Sequence, residues 1–136
     1  MNWKFNPASI APPGRYNHGV SVPAMSRFCY TAGQVGKNAD GSLPGDFASQ
    51  VRNCYYNLGE ILAVDGMTLE DLVKVTVFVT RHEHVARWRE IRDQLLGETK
   101  PASTMLVVAS LSEPGYLIEV EGVAAKLDLQ HAETRA

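Results

Sequence analysis

The stretch Lys100–Lys126, KPASTMLVVASLSEPGYLIEVEGVAAK, decides how the rest of the chain is read. It reads as two β-strands joined through a turn at Pro114-Gly115. From Ser103 to Ser110, Met105, Val107 and Ala109 fall on one face, with Thr104, Leu106 and Val108 on the other. From Tyr116 to Lys126, Tyr116, Ile118 and Val120 share one side, opposite Leu117, Glu119, Glu121 and Val123. Strands that are apolar on both faces are covered on both faces. Carboxylates two residues apart on such a strand each need a partner, because burying a lone charge is costly. Glu119 and Glu121 are therefore the first candidates for chemistry.

Working outward, the apolar periodicity alternates between strand and helix. Residues 1–14 are rich in proline and small residues and read as an extended lead-in. His18–Val22 alternates, and Pro23-Ala24-Met25-Ser26 turns into Arg27–Gly33, which predicts a β-hairpin. A polar loop follows from Lys37 to Gly45. Asp46 then caps a helix whose apolar stripe is Phe47, Val51, Cys54, Leu58, Ile61 and Leu62. Gly66 closes it in a left-handed cap. Thr68-Leu69-Glu70-Asp71 opens a single helical turn, and Val73–Thr80 is a strand with valine at every odd position to Val79. A second helix spans His84–Leu96, with Val85, Trp88, Ile91 and Leu95 inward and its charges on the other faces.

The order is ββ-α-β-α-ββ in one domain of 136 residues, with its core at about 10–127 and a polar tail over 128–136. It predicts an α+β fold in which two helices cover one face of a mixed sheet. Two helices cover one side only, so the second apolar face calls for another copy of the chain. The net charge of −2 with interspersed signs offers no basic stripe to nucleic acid and no polybasic patch to a membrane. No apolar run reaches spanning length. The start, MNWKFNPAS, lacks the basic and apolar regions of a secretory signal. Cys29 and Cys54 share no metal or CxxC spacing and read as reduced thiols of a cytoplasmic protein. His82-x-His84 lacks the further ligands a metal site needs, so no metal is expected.

Several short motifs, in order, resemble the RidA/YjgF family of reactive-intermediate (enamine/imine) deaminases. Pro101-Ala102-Ser103-Thr104 is similar to the family's Pro-Ala-Arg-Ser, and Glu119-Val120-Glu121-Gly122-Val123-Ala124 to its Glu-x-Glu-x-x-Ala close. Gly14-Arg15-Tyr16-Asn17, Ala32-Gly33-Gln34, Asp65-Gly66-Met67 and Asp71–Phe78 resemble further family segments. The likeness runs from about Ile10 to Lys126. It implies a RidA-like (chorismate-mutase-like) fold and a homotrimer with a central barrel. Three clefts would lie between subunits.

The same resemblance implies site residues. Tyr16 matches the family's pocket tyrosine. Gly33 matches a substrate-orienting backbone position, beside Ala32, where a hydroxyl is lost. Glu121 matches the pocket glutamate that places water or relays a proton, a role that burial would favour by raising its pKa. Trp88 falls where an asparagine is frequent, and Met105 where many members have cysteine. Ser103 replaces the arginine that grips the substrate's carboxylate. Loss of that charge-assisted pair costs on the order of 1.5–3 kcal/mol, about ten- to a hundred-fold in binding. Arg15, Arg87 and Arg89 are candidates for a substitute cation, and Thr104 for a neutral polar contact. The bland readings are a Glu121 paired across subunits, Glu119 in a structural role, core packing for Trp88, and backbone-satisfying hydroxyls at Ser103 and Thr104. His18 reads either as an acid–base group or as a hydrogen-bonded strand residue.

Two functions fit. One is a cofactor-free imine or enamine hydrolase with a non-standard substrate, since hydrolysis needs only water and proton transfer. The other is a non-catalytic binder of a small molecule in the same cleft. An inward-pointing arginine would favour a carboxylated imine. A ribonuclease role has no basic groove to support it.

Overall fold

The computed structural model describes residues 2–127; the predicted polar tail lies outside them. Within the described residues, seven strands and two α-helices follow the order β1 (Trp3–Phe5), β2 (Gly19–Ser21), β3 (Ser26–Tyr30), β4 (Gln34–Val35), α1 (Phe47–Val64), β5 (Leu72–Val79), α2 (Val85–Leu96), β6 (Ala102–Val107) and β7 (Ile118–Leu127). The main sheet runs β3-β7-β5-β6, with β4 also on β7. It is mixed: β6 runs parallel to β5, while β7 is antiparallel to β3, β4 and β5.

The two late strands are therefore not neighbours. β5 lies between them, and Pro114-Gly115 belongs to a longer connection that crosses it. That connection is held by Gln50, which is fully buried on α1. Its Nε2 donates to the Pro44 and Gly115 carbonyls at 2.8 and 3.1 Å, and its Oε1 accepts from the Leu117 N–H at 2.9 Å. A buried amide used so fully ties loop to helix at no desolvation loss.

The expected β2–β3 hairpin does not form. β2 pairs instead with β1 in a separate two-stranded ribbon, so the lead-in is partly a strand. β3 pairs with β7, in register from Ser26↔Leu127 to Tyr30↔Val123. The physical reason lies in β7, which offers a long bare edge to β3, whereas Gly19–Ser21 is too short to compete. Lys4 Nζ donates to the Thr99 carbonyl, holding the ribbon near the loop before β6.

Both helices lie on one sheet face. Their buried apolar residues are Phe47, Val51, Cys54, Tyr55, Leu58 and Leu62 from α1, and Val85, Trp88, Ile91 and Leu96 from α2. They pack on Val75, Val77 and Val79 of β5 and Ile118 and Val120 of β7. Burial at about 1.5–3 kcal/mol per large apolar side chain dominates this layer. Asp46 caps α1 by accepting from the Ser49 N–H at 2.9 Å, and Gly66 closes it at φ 72°. The expected inward face of α2 is off by one residue at its end. Leu96 is buried and Leu95 is exposed, and Arg92 joins the inner side, 9% exposed.

Cross-strand partners define the opposite face. Lys74, Thr76 and Phe78 stand beside Val123, Glu121 and Glu119 on one side and Ala102, Thr104 and Leu106 on the other. Phe28, Leu106 and Tyr30 (74% exposed) are uncovered apolar residues there, and the Phe28 and Tyr30 rings stack at 6.2 Å. No helix of the described residues is long and apolar enough to cross a membrane.

Candidate active site

β6 is the edge strand of the sheet, and its helix-side residues Ser103 and Met105 are only partly covered by α2. The segment before β2 closes the gap. Asn17 bridges to Ala102 in parallel, its N–H donates to the Pro101 carbonyl at 3.5 Å, and its Nδ2 donates to the Lys100 carbonyl at 2.7 Å. This anchor puts Tyr16 across from Ser103. Together they bound a cleft of about 640 Å³ lined by Gly14, Arg15, Tyr16, Trp88, Arg89, Arg92, Asp93, Ser103 and Met105.

Trp88 is the floor. It is 2% exposed, and its Nε1 donates to the Tyr55 hydroxyl at 3.2 Å. Burial raises Tyr55 well above the usual tyrosine range, so that hydroxyl stays protonated. On the cleft side the Arg92 guanidinium lies over the indole, 4.7 Å from the ring centre, a cation–π contact on a residue that is itself nearly buried. Trp88 thus packs in the core and lines the cleft at once.

The charges are arranged around that floor. Arg92 donates through Nε and Nη2 to Asp93 Oδ1, both at 2.9 Å. Arg15 reaches the same carboxylate at 3.4 Å, reaches Glu98 at 3.4 Å and donates to the Gly97 carbonyl at 3.2 Å. The Lys100 side chain, then Arg15, hold the Glu98 carboxyl below its ordinary range. Arg89 is exposed and makes no ion pair among the described residues. Arg87, the remaining candidate cation, pairs with Glu90 at 2.9 Å and does not line the cleft. His18 is hydrogen-bonded, with Nε2 2.8 Å from the Ala11 carbonyl, and its ring meets Tyr16 edge-on at 5.7 Å. His84 stacks on Phe47 at 4.1 Å, away from the cleft.

Of the residues expected to form the site, the chain brings together Arg15, Tyr16, Trp88, Ser103 and Met105. It does not bring Glu121, Thr104, Ala32 or Gly33 to them. Thr104 lies on the opposite sheet face and accepts from Lys74 Nζ at 2.6 Å. Glu121 is exposed on that face as well, in a separate hollow with Tyr30, Thr31, Lys74 and Thr76. The burial expected of it is absent in the single chain. Gly33 lies under the other carboxylate: a Cβ there would come 2.4 Å from Glu119 Oε1. Arg92 and Asp93 were not legible as site residues, although Arg92 sits four residues after Trp88 and so on the same helical face.

A two-helix α+β layer with a cationic cleft at the edge of its sheet is the class of protein defined so far. The chain belongs to the RidA/YjgF family: the family model described as endoribonuclease L-PSP matches residues 6–126. It is 31% identical over 122 residues to the 2-iminobutanoate/2-iminopropanoate deaminase of Bos taurus, covering 88% of this chain and 84% of that one. It is 33% identical over 124 residues to the mitochondrial protein mmf2 of Schizosaccharomyces pombe, covering 90% and 96% of the two. Among solved structures, the Rid-family protein YyfB of Yersinia pestis superposes with a TM-score of 0.81 at 29% identity, covering 92% of this chain and 98% of that one.

Proposed function

We propose that this chain is a cofactor-free enamine/imine deaminase whose substrate carries a carboxylate held by guanidiniums of α2 rather than by residue 103. The observation that carries this reading is Arg89, a guanidinium with no ion pair among the described residues that lines the cleft with Ser103 and Trp88. A guanidinium grips a carboxylate bidentately, and supplying it from α2 restores what Ser103 lacks. The deaminase named among the relatives supports the reaction class.

The chemistry is a hydrolysis. Water adds to the carbon of the protonated C=N, a C–O bond forms, and the π pair goes to nitrogen. A proton then passes from oxygen to nitrogen, the oxygen lone pair expels nitrogen as the C–N bond breaks, and the remaining hydroxyl proton goes to the departing ammonia, so that the ketone and ammonium leave. Tyr16 covers the substrate, backbone groups at Gly33 orient it, and Glu121 positions the water. Glu121 and Gly33 reach a cleft only from a neighbouring copy, so this reading includes the homotrimer. The uncovered Phe28, Tyr30 and Leu106 on the sheet face support such an assembly. Glu119, whose carboxylate lies over Gly33, is the competing candidate for the water-positioning role. We place the protein in an aqueous compartment, the cytoplasm, although the matched mmf2 is a mitochondrial protein.

A second reading is a non-catalytic small-molecule binder. It draws on one observation: Asp93, the single carboxylate lining the cleft, is bonded by both Arg15 and Arg92 and is poorly placed to act as a base. One experiment separates the two. An amino-acid oxidase generates imino acids in the presence of semicarbazide, and the protein is tested for faster keto-acid release. Acceleration that disappears in Glu121→Ala or Glu119→Ala supports hydrolysis and identifies the carboxylate. A folded oligomer that accelerates nothing leaves the binder.

A further inference from the structure

The cleft holds more positive charge than one substrate carboxylate needs. Three guanidiniums line it, from Arg15, Arg89 and Arg92, against one carboxylate, Asp93. Glu98, the other partner of Arg15, is 82% exposed and does not line the cleft. Asp93 is bonded to both Arg92 and Arg15, at 2.9 and 3.4 Å, and Glu98 is shared by Arg15 and Lys100, at 3.4 and 3.1 Å, so with Lys100 counted two carboxylates face four cations. Two remain unbalanced, and they are distributed over different walls. Arg89 projects from α2, while Arg15 comes from the segment before β2 on the far side of Ser103. The bonds from Arg92 to Asp93 use Nε and Nη2, which leaves Nη1 as its corner for an incoming anion. Closing such a cleft over a monocarboxylate takes a guanidinium out of water without a counter-ion, which is unfavourable.

We propose that the cleft selects imines bearing two carboxylates, the imino forms of acidic amino acids such as 2-iminosuccinate and 2-iminoglutarate. One carboxylate sits on Arg89, and the other on the side where Arg15 and Arg92 converge. Ser103 then has a purpose. A short neutral side chain between the two cationic walls leaves room for the longer substrate, whereas an arginine there would fill the gap with a third unbalanced charge. This substrate class rests on the imine-deaminase reading of the same cleft.

The test compares kcat/KM for 2-iminosuccinate and 2-iminoglutarate, generated by an oxidase from aspartate and glutamate, with that for 2-iminopropionate from alanine. The wild-type protein is expected to favour the dicarboxylates by about ten- to a hundred-fold, the worth of one charge-assisted pair. Arg15→Gln should bring that ratio close to one, Arg15→Lys should restore part of it, and Arg89→Gln should lower both rates. Equal or better turnover of 2-iminopropionate overturns the dicarboxylate assignment and leaves the deaminase standing. A parallel titration with 2-oxoglutarate and pyruvate, followed by calorimetry, covers the case of no turnover. Tighter 2-oxoglutarate binding that depends on Arg15 keeps the dianion selectivity while the deaminase reading falls. Indifference between the two ligands rejects the selectivity outright.

Discussion

The Trp88–Tyr55 contact joins the core to the cleft, and Trp88→Phe tests that link. The substitution keeps an aromatic ring on the buried face of α2 but removes the Nε1–H that reaches the Tyr55 hydroxyl at 3.2 Å. Tyr55 is 1% exposed, so no water can replace the lost donor. A buried hydroxyl left without its partner costs about 1–3 kcal/mol. The smaller ring also weakens the stack under Arg92, worth about 0.5–1 kcal/mol or somewhat more when desolvated. Trp88→Phe should therefore destabilise the protein by roughly 1.5–4 kcal/mol. Tyr55→Phe removes the other half of the bond, and the double variant removes both at once.

Because both groups belong to one interaction, the double variant should be less destabilised than the two singles added together, with coupling of about 0.5–3 kcal/mol. The assay is urea unfolding of all four proteins at one protein concentration, since assembly makes stability concentration-dependent. Simple additivity would refute the claim that the Trp88 N–H is committed to Tyr55. The cleft gives a second readout. Trp88→Phe should weaken carboxylate binding by loosening Arg92, and Tyr55→Phe should do so much less. Equal loss in both would mean that Trp88 acts through general destabilisation rather than as the platform for Arg92.

Three further outcomes are expected. Gly36→Ala should cost about 1–3 kcal/mol in the same unfolding assay, because the new Cβ would lie 2.4 Å from the Gln50 Cα and 2.7 Å from its carbonyl oxygen, backbone atoms that cannot swing away. Asp46→Ala should cost about 0.5–2 kcal/mol through loss of the α1 cap, with Asp46→Asn restoring most of it. Burial, helped by the nearby Glu119 charge, raises the Cys54 thiol from 9.0 to about 12. The native protein should therefore resist alkylation at Cys54 at pH 8 and lose that resistance in denaturant. The folded state holds this proton more tightly than the unfolded one. The stability from this group is thus whole below about pH 9 and falls between pH 9 and 12, and Cys54→Ala should flatten that slope.

The local elements were legible in the sequence because their signals are local. Asp46 and Gly66 bound α1, the alternating valines of β5 define its buried face, and Thr68 opens the turn before it; each depends on neighbours within a few residues. Pairing was not legible, because it is a competition among distant segments. Gly19–Ser21 and Ser26–Tyr30 look like a hairpin next to one another, yet β7 gives β3 five consecutive partners and leaves β2 to β1. The two late strands likewise read as adjacent, but the crossover through α2 sets β5 between them.

The same division holds at the site. Tyr16, Ser103 and Met105 could be named from short motifs, since those motifs carry the loop and strand that bring them together. Arg92 could not: a charged residue on a helix is ordinarily solvated, and only the packing of α2 on the edge strand turns it over Trp88 and under cover. Nor does sequence position reveal that Glu121 faces away from Tyr16, because a strand alternates its faces while the helices decide which face is the core. Composition and periodicity determined the layer and its caps through short-range backbone and apolar preferences. Which strands pair, which arginines converge and which carboxylate is left outside were decided only by tertiary packing, where segments far apart in sequence compete for the same edge and the same face.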